Sequence, residues 1–453
     1  MLLLTLISIC LATDRQAELL KPIMSLCAQK KYSSAFASYK MLFQKSYNTQ
    51  SEELRRLAIF ADKSRFIAEF NTQRKSSNDA LLGLNNLSDL TTDEFARIYL
   101  GGKKPSPVTN TLPSQTVAEQ KTTVYKSIHK KESTLPNLFT LCGSYTAFNT
   151  ERDGKDNHCY SGINQNLCGC CYAASIANYL QVKHHINNGE VVQYSPQQFI
   201  DCTGGNSKAC CGGFSYDVLD FNRAFAPMSE YNYRDSETEC QTNYTTKSKL
   251  CYKINKATQK LVDYKEYKIT SYAEFKQIIY DNNGGVSGVY VPLSGSITSV
   301  WQNYKSGVMD LSGACGDINN NNIPTNHMVD VIGFGTQSSG SGSPDFITVR
   351  NSWGDDWGDQ GTARISMDAV CGIGGCDGDK TGKCPHPTFI TINTEVTKQT
   401  GDLKEQYGCL EGKCDKTICD GSECVSKSEE LPPKSVGCMQ LTIVAVLVVM
   451  FWL

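Results

Sequence analysis

Four residue types in one chain order carry the chemistry here: Gln165, Cys171, His327 and Asn351. A thiol attacks a carbonyl only as its thiolate, and an ordinary cysteine, with a pKa of about 8.5, is mostly protonated at neutral pH. Two devices correct that: a helix N-terminus, whose partial positive charge favours an anion, and an imidazolium partner. Cys171 stands in Gln165-Asn166-Leu167-Cys168-Gly169-Cys170-Cys171-Tyr172, directly ahead of an amphipathic run, so it is placed to start a helix. His327 opens an apolar stretch and would supply the imidazole. Asn351, in Asn351-Ser352-Trp353-Gly354, would hold that ring by accepting from its N–H, with Trp353 shielding the bond from water. The Gln165 side-chain amide and the Cys171 backbone N–H would stabilise an oxyanion; losing one such donor typically costs about 2.7–4 kcal/mol of transition-state stabilisation. The chemistry is acyl transfer through a thioester, with no metal and no organic cofactor.

The elements that must position these groups are legible around them. From Cys171 to His185, Tyr172, Ile176 and Leu180 share one face with Ala173 and Ala177 beside them, and Asn187-Asn188-Gly189 stops the helix. Ser195-Pro196-Gln197-Gln198 reads as an N-cap, a proline at the first helical position and the closing glutamine of a capping box. After about residue 260 the pattern turns to strands, at 328–333, 346–350 and 362–366. Helices followed by strands predict two lobes. Five other histidines compete with His327: His129 in a polar linker, His158 in an insertion, His184 and His185 at the far end of the helix, and His386 beyond Asn351. Only His327 immediately precedes an alternating apolar strand and lies ahead of Asn351. Gly212-Gly213 lets a peptide backbone approach closely, or simply makes a turn.

Cys-Gly-Cys-Cys-Tyr at 168–172, followed at long range by His327 and Asn351, resembles the papain family of cysteine peptidases, from about residue 30 to 394. Upstream, Glu52, Arg56, Phe60, Lys63, Ile67 and Asn71 resemble the family's inhibitory propeptide helix, with Lys63 where Asn is usual. Gly83-x-Asn85-x-Leu87-x-Asp89 resembles its second signature, with Leu87 for Phe. The resemblance implies an α+β, two-lobe fold, one lobe helical and one β-barrel-like, preceded by a helical propeptide that covers the cleft and is later removed. It places Cys171 on the helical wall and His327 on the β wall. It implies a substrate pocket lined by Phe214, Val289 and Met328, suited to a bulky apolar residue, with Cys376 at its base, and Trp353 beside the bound peptide. It also implies disulfides Cys168–Cys210, Cys202–Cys240 and Cys315–Cys371. Cys170 stands for the usual serine and Cys211 for the usual asparagine, so Cys170–Cys211 is a further candidate bridge. Tyr172 for tryptophan and Ala174 for phenylalanine are other departures; none removes a reacting group.

The whole chain of 453 residues has a net charge of -2, which points to neither a nucleic-acid partner nor strong electrostatic steering. Twenty-one cysteines suit an oxidising compartment. The expected organisation is a signal peptide over 1–12, propeptide and linker over 13–133, a catalytic domain over 134–394 whose insertion Cys142 and Cys159 bracket, a Cys-rich extension over 395–437 and a hydrophobic tail over 438–453. The even spacing of Cys409, Cys414, Cys419 and Cys424 fits disulfides better than zinc, whose closer ligand pairs are absent. The terminal apolar run, 441–453, spans only about 20 Å as a helix, short of a bilayer core. A glycolipid-anchor signal, a short membrane segment and a buried strand all fit it. Sequons at Asn86 and Asn243 are candidate glycosylation sites. Removing Cys171 from the eighteen cysteines between Cys142 and Cys424 leaves an odd number, with Cys251 the candidate unpaired thiol. Together these features predict a monomeric endopeptidase made as a zymogen on the secretory route, held in a lysosome-like vesicle, secreted or displayed at the cell surface, acting on peptides and inhibited by its own propeptide. The rival reading is a catalytically silent surface adhesin.

Overall fold

The computed structural model describes residues 18–100, 123–124, 135–142, 159–203, 207–234, 254, 256–268, 272–282, 286–293, 295–310, 325–336, 345–366 and 388–396. The sequence expectations for the leader, the Cys-rich extension, the hydrophobic tail, Asn243, Cys240, Cys251, Cys315, Cys371, Cys376, His129, His158 and His386 fall outside them. Among the described residues no helix is long and apolar enough to cross a membrane.

The N-terminal part is helical: α1 over 18–28, α2 Tyr32–Leu42, α3 Gln50–Thr72 and, after the short strand β1 Leu81–Leu82, α4 Thr92–Tyr99. The signature residues of α3 each make a defined contact. Arg56 bonds Glu52 at 2.6 Å and Glu94 at 2.9 Å. Phe60 packs against Phe36 and Tyr39. The Asn71 side chain both donates to the Leu82 carbonyl and accepts from its N–H, each at 2.9 Å, so it acts as an extra strand residue for β1. Asp89 gathers Tyr39, Tyr47 and Lys45. A complete Thr91–Glu94 capping box starts α4.

The rest follows as β2 Thr123–Val124, β3 Leu138–Thr140, α5 Cys171–Asn188, α6 Pro196–Cys202, α7 Ser215–Phe221, β4 Ala224–Phe225, β5 Gln259–Lys268, α8 Tyr272–Asp281, β6 Val286–Pro292, α9 Gly295–Gln302, β7 Tyr304–Ser306, β8 Val308–Met309, β9 Thr325–Thr336, β10 Asp345–Arg350, β11 Thr362–Ser366 and β12 Thr388–Val396. Among the described residues, ten strands form one sheet around the path β2-β5-β12-β6-β9-β10-β11-β8, with β3 on β9 and β4 on β5. Two apolar cores flank the seam: one is built mainly on β6, β9, β10, β11 and α8, the other on α5, α6 and α7.

The helix beginning at Cys171 ends where the sequence indicates: Gly189, at φ 71°, takes the left-handed conformation and donates to the His185 carbonyl at 2.8 Å. Three expectations need correction. The strand region after residue 260 also contains α8 and α9. Within the polar linker, Thr123–Val124 pairs in parallel with β5, because an edge strand offers unpaired backbone groups to any extended segment nearby. Ser195 does cap α6 through the Gln198 N–H at 3.1 Å, but the Gln198 side chain does not close the box. It turns inward to the Ala224 carbonyl and the Ala226 N–H, buried backbone groups that would otherwise lack partners.

Candidate active site

Cys171 is the first residue of α5 and is fully buried, as is the whole of that helix's first turn. The Cys170 carbonyl accepts from the N–H groups of Ala173 and Ala174 at 2.9 and 3.0 Å, which sets the helix start one residue ahead of Cys171. The preceding turn is fastened by the Cys168–Cys210 disulfide, Cα–Cα 4.6 Å, and by the Gly169 N–H on the Cys210 carbonyl at 3.0 Å.

His327 lies on β9 and is also fully buried. Its Nε2 is 2.7 Å from Asn351 Oδ1. An amide oxygen only accepts, so the proton sits on Nε2 and the ring's other nitrogen, Nδ1, is left to face the site. Nδ1 is buried and has no hydrogen-bond partner. Trp353 stacks on the imidazole at 4.7 Å and 29°, and Trp301 presents an edge at 6.3 Å. Burial pushes the imidazole down to about 4, against the pull of Asn351 in the other direction.

Two ties bring the start of α5 alongside the start of β9. The Ser215 hydroxyl contacts both the Tyr172 carbonyl at 3.3 Å and the Met328 sulfur at 3.0 Å, so the residues that follow Cys171 and His327 meet on one side chain. One turn further, Ser175 donates to Asp330 at 2.7 Å. A bulge in β6 serves this second tie: Ser287 and Gly288 together oppose Asp330, between the pairs Val286–Val331 and Val289–Val329. The bulge brings the Ser287 hydroxyl to 2.9 Å from that of Ser175 and the Gly288 N–H to 3.2 Å. The Asp330 carboxyl is fully enclosed, and burial pushes it up to about 7.

Gln165 is held at every polar atom. Its N–H donates to the Ser352 carbonyl at 2.8 Å, its Oε1 accepts from the Ser352 hydroxyl at 2.5 Å and its carbonyl accepts from the Tyr233 phenol at 2.6 Å. The two amide protons of Nε2 go to the Cys168 carbonyl at 2.8 Å and to the carbonyl of Tyr99, in α4, at 3.0 Å. Phe95, also in α4, meets Trp353 edge-on at 4.9 Å. The N-terminal helices therefore sit on the residues around His327 and Gln165. Gln302, at the end of α9, anchors them. Its side chain donates to the carbonyls of Leu87 and Leu90 and accepts from Lys63 at 2.7 Å, and its carbonyl accepts from Asn85 at 2.8 Å. Lys63 is enclosed without a carboxylate partner, and burial pushes it down to about 8.

The glycine pair has a packing reason of its own. Gly212 has φ 94° and ψ 165°, a region open to glycine. A methyl group on Gly213 would stand 2.5 Å from the Ser207 hydroxyl and 2.8 Å from the Tyr172 ring. Phe214 and Met328 are buried, Met328 in the core built on α5, α6 and α7, whereas Val289, paired with Val329, belongs to the β-side core. His184 is buried against the Tyr194 phenol at 3.1 Å and His185 meets Tyr160 at 2.9 Å, both at the opposite end of α5 from Cys171. Asn86 is half-buried, flanked in the chain by the buried Asn85 and Leu87, whose side chain and backbone carbonyl respectively bond Gln302.

The candidate bridge Cys170–Cys211 does not form. Cys170 remains a thiol, 3.4 Å from the Tyr233 hydroxyl, and Cys211 is disulfide-bonded elsewhere. As the residue just ahead of α5, Cys170 points toward Tyr233, and its neighbour on the loop is already engaged. Cys202 is also disulfide-bonded, and Cys142 is bonded to Cys159, Cα–Cα 4.7 Å, closing the insertion between them. Ser352, Tyr233, Ser175, Asp330 and Gln302 were not singled out from the sequence. A signal existed for two of them: Ser352 adjoins Asn351, and Asp330 is a lone charge within the apolar run Met328-Val329-Asp330-Val331-Ile332.

Residues 148–377 match the family described as papain family cysteine protease, and residues 36–95 match the cathepsin propeptide inhibitor domain. The chain is similar to chymopapain of Carica papaya, 27% identical over 78% of this chain and 86% of that protein. It is 25% identical to a cathepsin L-like proteinase of Phaedon cochleariae over 75% of this chain and 90% of that one. Among solved structures, the digestive procathepsin L2 proteinase of Tenebrio molitor larval midgut superposes with a TM-score of 0.57 at 21% identity, covering 80% of this chain and 99% of that chain.

Proposed function

Because this chain belongs to the papain family of cysteine proteases and folds with its inhibitory propeptide domain in place, we propose that it is an endopeptidase zymogen in which Cys171 is the nucleophile and His327 its proton partner. The observation that carries the reading is the histidine: Nε2 is committed to Asn351, and Nδ1 is buried, unpartnered and on the wall that β9 turns toward α5.

In the proposed cycle the thiol proton passes to Nδ1 and the thiolate sulfur bonds to the carbonyl carbon of the peptide. The carbonyl oxygen becomes an oxyanion, held by the Gln165 amide and the Cys171 N–H. The C–N bond then breaks as the imidazolium returns its proton from Nδ1 to the leaving amine, and the acyl group remains as a thioester. Water, deprotonated by Nδ1, attacks the thioester; the C–S bond breaks, an acid is released and the thiol is restored. The zymogen is silent in this reading because the Tyr99 carbonyl occupies the Gln165 amide proton that an oxyanion would need, while α4 covers Trp353. Buried Phe214 and Met328 support a preference for a bulky apolar side chain at the second residue before the cut. The disulfides support folding on the secretory route. The propeptide is assigned to 13–133 and the catalytic domain to 134–394.

The test is hydrolysis of a fluorogenic peptide by the processed chain and by Cys171→Ala. The substitution should abolish activity by at least about a thousandfold, since loss of a nucleophile removes the whole covalent route. Retained turnover in Cys171→Ala, with the propeptide gone and the fold intact, refutes the assignment.

A further inference from the structure

We propose that Tyr233 is a positioning residue for the oxyanion site, its phenol tying the Gln165 backbone carbonyl to the Cys170 thiol beside the nucleophile. The inference rests on the roles given above to Cys171 and Gln165. It starts from a proton count. Tyr233 has one O–H, and its oxygen is 2.6 Å from the Gln165 carbonyl, which can only accept. The phenol proton is therefore committed there. The Cys170 sulfur lies 3.4 Å from the same phenol oxygen, so the thiol must be the donor in that contact. The chain of bonds runs one way, from the Cys170 S–H to the Tyr233 oxygen and from the Tyr233 O–H to Gln165.

This arrangement has two consequences. It seats Cys170 as a donor, and burial pushes that thiol up to about 12 against the opposing pull of the Tyr233 bond, which leaves Cys171 as the reacting sulfur of the pair. It also makes a second clamp on Gln165, opposite to the one from Ser352, whose hydroxyl holds Oε1 at 2.5 Å. The backbone is fixed from one side and the amide from the other, so Nε2 keeps its aim when the Tyr99 carbonyl leaves. Tyr233 is itself held on both flanks: the Tyr231 phenol bonds Asp201 at 2.8 Å, the Arg234 guanidinium pairs with the same carboxylate, and the Arg234 N–H donates to Gln197 at 3.0 Å. All three contacts are to α6, so the segment cannot drift without unseating that helix.

The experiment uses the full chain, processed to remove the propeptide, as parent, Tyr233→Phe, Gln165→Ala and the double variant. Tyr233→Phe should lower kcat about five- to tenfold with KM within twofold of the parent. Alkylation of Cys171 by iodoacetamide forms no oxyanion, so its rate and pH profile should not change. In the Gln165→Ala background the same Tyr233→Phe change should cost nothing further, because its effect passes through Gln165. A parent that shows no Cys171-dependent hydrolysis overturns the underlying functional reading. A parent that does, with Tyr233→Phe equal to it or lowering Gln165→Ala by the same factor as the parent, overturns the role of Tyr233.

Discussion

Asp330 should make the folded protein more stable in acid than at neutral pH, and Asp330→Asn should remove that dependence. The carboxyl is enclosed where α5, β6, β9 and β10 meet. Facing it are the hydroxyls of Ser175 and Ser287, the Tyr179 phenol on α5 and the Arg350 guanidinium on β10. Burial raises it from about 3.9, the ordinary aspartate value, to about 7. A raised folded pKa means that between those values the native state holds a proton that the unfolded chain has lost. The resulting stability is full below about pH 4, declines by about 1.4 kcal/mol for each pH unit above it, and is gone above about pH 7. Between pH 5 and 7.5 the loss comes to about 2.5 kcal/mol, or roughly 5–10 °C in Tm for a domain of this size. Asp201, pushed up to about 6, adds in the same direction, whereas His327, pushed down to about 4, loses stability as pH falls and so opposes it. The difference between parent and variant isolates Asp330. Asparagine can still accept from Ser175 and carries no charge. Thermal unfolding of the thiol-blocked zymogen should therefore show Asp330→Asn above the parent at pH 7.5 and close to it at pH 5. If the Tm difference between the two pH values is the same in both proteins, the carboxyl is not titrating in the buried state and the reasoning fails.

Two further outcomes follow from the packing. Phe95→Ala removes the edge contact with Trp353 and should weaken the hold of the propeptide by about 3 kcal/mol. Faster self-processing, and an inhibition constant for free propeptide raised on the order of a hundredfold, would show it; unchanged inhibition would refute it. Gly213→Ala drives a methyl into Ser207 and Tyr172 and should cost about 1–3 kcal/mol of stability in the zymogen, where no substrate is bound, read by denaturant unfolding. A neutral result there would return the glycine to a role in substrate approach alone.

The propeptide helix was legible as a stripe of residues, yet what each member touches was not. Lys63 departs from the usual asparagine, and only the fold shows that its ammonium reaches Gln302, at the far end of α9. The cysteines make the same point from the other side. Cys168–Cys210 followed from a resemblance carried by position, while the bridge inferred for Cys170 and Cys211 from their joint departure from the family pattern was wrong. Pairing is decided by where side chains point, and Cys170 points at Tyr233.

By itself the chain already determined the start of a helix at Cys171, its end at Gly189 and the strand at His327. These depend on local rules: capping, the 3.6-residue period and strand alternation act within a few residues. The tertiary structure alone decided that Ser352 and Tyr233 hold Gln165, that a bulge in β6 brings Ser287 and Gly288 to Asp330 and Ser175, and that the Tyr99 carbonyl takes a proton of the Gln165 amide. Those contacts join residues 42 to 187 positions apart. No short-range pattern encodes such meetings, because they exist only once the two cores have packed and the buried polar groups have found their partners.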